Sequence, residues 1–247
     1  MLPNGGGNSP AAFQPKFPHP AVQLHYVRGA CLAEAFYQAV RSPHQLLVVG
    51  DPLCQPWAVI PAVEIVNAAD SQPVEPGATL AGKVEFEPRA SLPEGSLADR
   101  FELYVDGVRV AQCGLGERLP LDTTALADGH HDLRVVAIAA TDIETQGRRI
   151  VPVMVSNHGL ALTLTVEPRR VRPAETVRVS LAGAGLESAI IYGMGRVLGR
   201  TATGQATIEV PAELLGRGPV TLRATGRTGP NPGDAVNAPP VTITVGD

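Results

Sequence analysis

Beyond Trp57 the chain is dominated by strict alternation of apolar and polar positions. Phe101, Leu103 and Val105 share one face, Asp106-Gly107 forms a two-residue turn signal, and Val108 and Val110 continue on the far side. Such a pattern predicts a hairpin, because Asp-Gly supplies two residues that tolerate the positive φ of a tight turn. The runs Val63–Val66, Thr79–Phe86, Leu133–Ala139 and Ile150–Val155 predict further strands, with a loop or helical turn over Leu121–Gly129. From Leu160 the plan recurs. Leu160–Val166, Val177–Leu181, Ala206–Val210 and Val241–Val245 each alternate apolar with polar, which predicts half-buried strands with one wet face.

The two stretches also align with each other. Leu121, Leu126, Gly129 and Leu133 are separated by five, three and four positions, and Val210, Leu215, Gly218 and Leu222 repeat those spacings. Tyr104 and Gly107 correspond to Tyr192 and Gly195, shifted by one residue. An ordered correspondence of this kind is the mark of an internal repeat. Two β-sandwiches in tandem are expected, meeting near His158-Gly159. Neither copy carries the Cys pair or the core Trp of antibody domains, so each core must rest on aliphatic packing.

Before Trp57 the pattern differs. Leu32, Ala35, Phe36 and Ala39 form one helical stripe, bracketed by Gly29 and Ser42-Pro43. Leu46–Val49 is a short unbroken apolar run, as in a strand buried on both faces, and Gly50-Asp51-Pro52 turns the chain. Aromatic residues crowd this first quarter. A helix followed by a doubly buried strand belongs to a layered α/β sheet, which one helix and one strand cannot complete alone.

The words HYVRGACLAEAFYQAV and LLVVGDPLCQPW resemble the end of the α/β portion in a bacterial family similar to the gingipain-type, caspase-like cysteine peptidases. There a late helix leads into a final strand ending in Gly-Asp-Pro, matched here by Gly50, Asp51 and Pro52. The matched words lie within residues 18–57 and omit the strands that would carry a peptidase His and Cys, so no catalytic position transfers. LYVDGVRV and LDTTALADGHHDLRVVA resemble bacterial immunoglobulin-like repeats.

The expected fold is therefore mainly β, with two immunoglobulin-like or fibronectin-like sandwiches preceded by a helix–strand remnant of an α/β domain. The divisions are a disordered tail over 1–17, the remnant over 18–58, and sandwiches over 59–159 and 160–247. The expected role is the non-catalytic C-terminal region of an exported multidomain bacterial protein, its modules serving as spacers or binding units. Its partner would be a missing upstream α/β domain or another protein. Part of a peptidase with catalytic residues further upstream, and a stand-alone adhesion or carbohydrate-binding module, are the alternatives.

Composition narrows this picture slightly. A formal charge of -4 gives no bulk attraction to nucleic acid or anionic lipid. No apolar run is long enough for a membrane helix, and the first residues lack the basic start and apolar stretch of a signal peptide. An extracytoplasmic location would need a signal on a missing N-terminal part. Three cysteines, Cys31, Cys54 and Cys113, do not make a disulfide framework.

Candidate chemistry is thin. Cys31 at a helix start with His25 could form a thiol–imidazole pair, but the sequence offers no third orienting group, and His25 reads as part of a preceding strand. Whether Cys31 and Cys54 form a disulfide is open. Asp51 at a strand end reads as a turn carboxylate. His130 and His131, beside Asp128 and Asp132, would point to opposite strand faces and cannot easily share a metal ion. Gly183, Gly185, Gly193 and Gly195 fit turns rather than a phosphate loop. Arg169, Arg170 and Arg172 read as a solvated loop. No position is assigned a catalytic, cofactor-binding or metal role.

Overall fold

The computed structural model describes residues 17–41 and 50–246. The predicted tail over 1–17 lies outside them save for Phe17, and so does the predicted strand Leu46–Val49. Two compact units divide the chain: residues 1–62, 90–100 and 137–147 form one, and residues 63–89, 101–136 and 148–247 form the other.

The first unit contains two short helices, α1 (Ala21–Val27) and α2 (Leu32–Gln38). Helix α2 matches the predicted stripe, with Ala35 fully buried. Its first N–H groups have no intrahelical acceptor. Leu32 and Ala33 donate instead to the carbonyls of Cys54 and Pro52, at 2.9 and 3.0 Å. The Glu34 carboxylate reaches back to the Cys31 N–H at 2.9 Å and closes the helix start. The predicted strand around His25 is instead helix α1. Val22, Leu24 and Tyr26 alternate as strand residues would, but Pro20 presets a helical φ of -51° and the turn propagates from it. None of the residues of α1 is buried.

The same unit includes the ends of two hairpins. The chain passes Gly147 so closely that a β-carbon there would overlap the Pro61 carbonyl. Gly29, at φ +101°, lies against Ala58 in the same way. Only a residue without a β-carbon permits such backbone approach. Arg100 holds Asp99 at 2.8 Å and both oxygens of Glu144 at 3.1 Å.

The first sandwich comprises β1 (Ala62–Asn67), β2 (Thr79–Leu80), β3 (Lys83–Ser91), β4 (Ala98–Val105), β5 (Val108–Gly114), β6 (Leu119–Asp122), β7 (Asp128–Ala139) and β8 (Gln146–Val155). One sheet runs β1-β3-β6 and the other β2-β8-β7-β4-β5, with β2 parallel to β8. The predicted strand Thr79–Phe86 is thus two strands. Gly82, at φ +66°, breaks it and lets the chain change sheets.

The second sandwich comprises β9 (Thr163–Glu167), β10 (Arg170–Val171), β11 (Thr176–Ala182), β12 (Ser188–Gly193), β13 (Arg196–Thr201), β14 (Gln205–Pro211), β15 (Gly218–Arg227), β16 (Ala235–Asn237) and β17 (Val241–Val245). Its sheets are β9-β11-β14 and β10-β17-β15-β12-β13, with β10 parallel to β17. Val166, Val177, Val179, Ile191, Leu215 and Leu222 are fully buried between them.

The strand order is the same in both, with a three-stranded sheet facing one whose short first strand runs parallel to its last. The protein is mainly β, built of two immunoglobulin-like, fibronectin-type sandwiches in tandem. The aligned positions fall where a repeat requires. Leu121 and Val210 lie in β6 and β14, a single 3-10 turn follows each, and Gly129 and Gly218 are the second residue of β7 and the first of β15. Tyr104 and Tyr192 sit in β4 and β12, each leading into a turn with two positive φ values: Asp106 and Gly107 at 50° and 86°, Met194 and Gly195 at 51° and 70°.

Candidate functional site

The richest polar constellation lies where the two sandwiches meet, within the second unit. Two side chains hold the linker at the joint, and a third orders the first sandwich beside it. The first is Asp128, fully buried at the start of β7. Its carboxylate accepts the N–H groups of Asn157 at 2.7 Å, His158 at 3.0 Å and Leu160 at 2.9 Å. Those residues link β8 to β9, so a single carboxylate satisfies the backbone of the linker. Burial alone would raise the Asp128 pKa, but the donated N–H bonds outweigh it and hold the group below the usual carboxylate value. Leu160 is consequently taken out of the predicted strand, which begins at Thr163.

Asn157 is the second. Its side chain accepts the Gly82 N–H at 2.9 Å and donates to the Thr123 carbonyl at 2.8 Å, fixing the linker to the first sandwich.

His131 is the third. One ring nitrogen lies 2.6 Å from Asp106 Oδ2 and the other 2.8 Å from the Ala127 carbonyl. Burial pulls its pKa down, yet the bonds to Asp106 and Ala127 prevail and raise it, favouring the imidazolium. Asp106 also accepts the Asp132 N–H at 2.9 Å, which locks the β4–β5 turn against β7.

Sheet pairing crosses the joint as well. Strand β16 pairs antiparallel with β15 and parallel with β7, placing Val236 opposite Asp128 and Asn237 opposite Gly129. One hydrogen-bonded sheet therefore runs through both sandwiches.

Beside this ladder is a cleft of about 330 Å³, lined by Asp106, His130, Asp132, Arg134, Tyr192, Arg223 and Asn237 among others. Tyr192 and Arg223 are cross-strand partners. Arg223 lies 3.5 Å from Asp132 and His130 lies 3.8 Å from the same carboxylate. The Tyr192 hydroxyl is 3.5 Å from Thr225, which donates to Asn237 Oδ1 at 2.8 Å. His130 is nearly buried, and desolvation lowers its pKa despite the neighbouring Asp132. The Nε of Arg134 is buried without a hydrogen-bond partner.

The residues singled out in the sequence are dispersed. His130 faces the cleft, His131 is taken up by Asp106 and Ala127, and Asp128 binds the linker. Each therefore has a separate partner, as opposite strand faces require. Cys31 is buried and Cys54 exposed; both thiols are free, and the Cys54 sulfur lies 3.5 Å from the Tyr26 hydroxyl. His25 lies in α1, where its carbonyl accepts the Ala30 N–H. Among the described residues no hydrogen bond joins its ring to Cys31. Asp51 Oδ1 accepts the Leu53 N–H at 3.0 Å, an ordinary Asx turn. Gly183 and Gly185 lie between β11 and β12, with Gly185 in the turn; Gly195 is in the β12–β13 turn, whereas Gly193 is the last residue of β12. The cleft itself escaped sequence reasoning. Arg134 and Arg223 each look like one more outward residue in an alternating strand, and only the pairing of β16 with β7 brings them together.

No protein-family model matches the sequence, and no curated protein matches it either. Among solved structures, the chain is similar to fibronectin(III)-like modules of Clostridium thermocellum CbhA, at 11% identity over 73% of this chain and 92% of that one, with a TM-score of 0.30. It is also similar to SGBP-B of a Bacteroides ovatus mixed-linkage glucan utilization locus, solved with a mixed-linkage heptasaccharide. There the identity is 16% over 74% of this chain and 47% of that one, with a TM-score of 0.35. A chimeric titin Z1Z2 tandem gives 13% identity, 76% and 100% coverage, and a TM-score of 0.38. At these identities and TM-scores the likeness assigns neither family nor ligand.

Proposed function

We propose that this chain is the non-catalytic C-terminal region of an exported multidomain bacterial protein, with its two sandwiches serving as a stiff spacer or binding unit. The observation that carries the reading is the joint. Asp128 takes up three linker N–H groups and β16 belongs to both sandwiches, so the modules are held in one arrangement rather than strung on a loose tether. A fixed spacing is what a spacer contributes.

The parent would carry an α/β domain similar to the gingipain-type, caspase-like peptidases. Support comes from the wording of residues 18–57 and from the apolar side chains that the first unit leaves open. Leu24, Val27, Tyr37, Leu53 and Trp57 are all about half exposed or more. A concentration of large exposed apolar groups marks a contact surface. The exposed aromatic rings, Phe17, Tyr37 and Trp57, all precede β1, which favours this reading over a stand-alone sugar-binding module. No helix among the described residues is long and apolar enough to cross a membrane.

The test is an immunoblot of the native host with an antibody raised against the sandwiches. A band heavier than 25.8 kDa outside the cytoplasm is the expected result. A band of that mass retained inside would overturn the reading.

A further inference from the structure

We infer that the cleft between the sandwiches is a binding site for a small hydroxylated monocarboxylate of the sugar-acid kind, anchored by Arg134. The inference stands apart from the spacer reading and survives its failure.

The charges around the cleft are matched in pairs, save one. Asp132 is taken by Arg223 at 3.5 Å, with His130 at 3.8 Å. Asp106 is taken by His131 at 2.6 Å. On the neighbouring strand, Glu102 accepts from Arg109 at 3.0 Å and from the Tyr104 hydroxyl at 2.6 Å. Arg134 makes no salt bridge among the described residues, and its Nε is buried without a partner. A guanidinium always stays charged, and leaving a buried donor unmade is costly. An arriving carboxylate would supply acceptors to the part of the guanidinium that lines the cleft.

Other features of the cleft limit what can arrive with the carboxylate. About 330 Å³ is room for one small molecule and not for a chain. The Tyr192 hydroxyl, the Asn237 side chain and the Asp132 carboxylate offer donors and acceptors suited to hydroxyl groups. Two fixed carboxylates in the wall, Asp106 and Asp132, disfavour a dianion such as phosphate or sulfate. A single negative charge with hydroxyls fits the lining, whereas an apolar acid does not.

The site is tested by calorimetric titration of the full chain near neutral pH with glucuronate, glucose, acetate and sulfate, alongside amide-shift mapping. Glucuronate is expected to saturate one site and to move the resonances of Arg134, Tyr192 and Asn237. Glucose, acetate and sulfate should each bind at least roughly tenfold more weakly. Arg134→Gln should weaken glucuronate by about tenfold or more, and Arg134→Lys, which keeps the charge but not the fork, by less. Because Arg134 makes no salt bridge among the described residues, both variants should keep the wild-type circular dichroism and melting temperature. Absence of saturable glucuronate binding overturns the proposal. So does equal binding of any of the other three probes, or undiminished binding by a folded Arg134→Gln variant.

Discussion

The carbonyl oxygen of Asn237 occupies the space where a β-carbon on Gly129 would stand. Gly129 is also at φ +89°, a conformation that side chains disfavour. The two residues are register partners in the parallel pairing of β16 with β7. A glycine is therefore required here twice over, by its backbone angle and by the closeness of the other sandwich. Gly129→Ala is expected to destabilise the protein by roughly 2–4 kcal/mol, read by urea denaturation. Gly107→Ala provides the comparison. That position shares the positive φ, at +86°, but has open space around it. Its cost should stay near 1 kcal/mol. Equal costs at the two sites would mean that the close approach contributes nothing.

Asp128 holds the linker by charge as well as geometry. Asp128→Ala strands three N–H groups, and a loss of about 2–3 kcal/mol is expected from charge-assisted bonds of this kind. The folded-state pKa lies below 3.8, the usual value. Its contribution is thus complete above that value and fades as pH falls through the lower folded-state one. Acid unfolding curves of wild type and Asp128→Asn should converge at low pH. Curves separated by a constant gap would contradict the assignment.

The adjacent histidines have pKa values displaced in opposite directions. His131 has a folded-state pKa raised above 6.5, so its contribution is present below that value and is lost as pH rises through the folded pKa. Asp106→Asn removes the acceptor that raises it. The resulting deficit in melting temperature should be larger at about pH 6 than at about pH 8. His130 has a folded-state pKa lowered below 6.5, so its burial favours folding above that value and loses ground as pH falls toward the folded one. His130→Gln should therefore compare best with wild type on the acid side. The same pH trend in both variants would show that the two rings do not occupy the separate environments seen here.

Thiol accessibility gives a fourth check. Cys54 is exposed, while Cys31 and Cys113 are buried, and burial pushes the Cys113 thiol up. One thiol should react promptly with a disulfide reagent in the native state and two more only on denaturation. Prompt reaction of all three would place Cys31 or Cys113 at the surface.

Elements whose signal is local could be read from the sequence. Asp106-Gly107 announces its hairpin because both turn residues must tolerate positive φ, and the structure gives 50° and 86°. The spacing shared by Leu121–Leu133 and Val210–Leu222 reflects a strand, a 3-10 turn and a strand used twice. What stayed hidden depends on distant chain. Helix α1 has seven residues and buries none of them, so no apolar stripe betrays it. Strand β16 is three residues long and joins β15 and β7, more than a hundred positions from one of its partners. The cleft inherits that difficulty, since its two walls come from separate sandwiches. Asp128 falls within the loop or helical turn predicted over Leu121–Gly129, and nothing local marks it as the acceptor for a linker some thirty residues ahead.

The joint itself is tested most directly by nitrogen relaxation measured residue by residue across both sandwiches. Held by Asp128 and by the Gly129–Asn237 ladder, the two modules should report one shared rotational correlation time. In Asp128→Ala combined with Gly129→Ala, two separate and shorter times should appear. Independent tumbling in the wild-type chain would contradict the account.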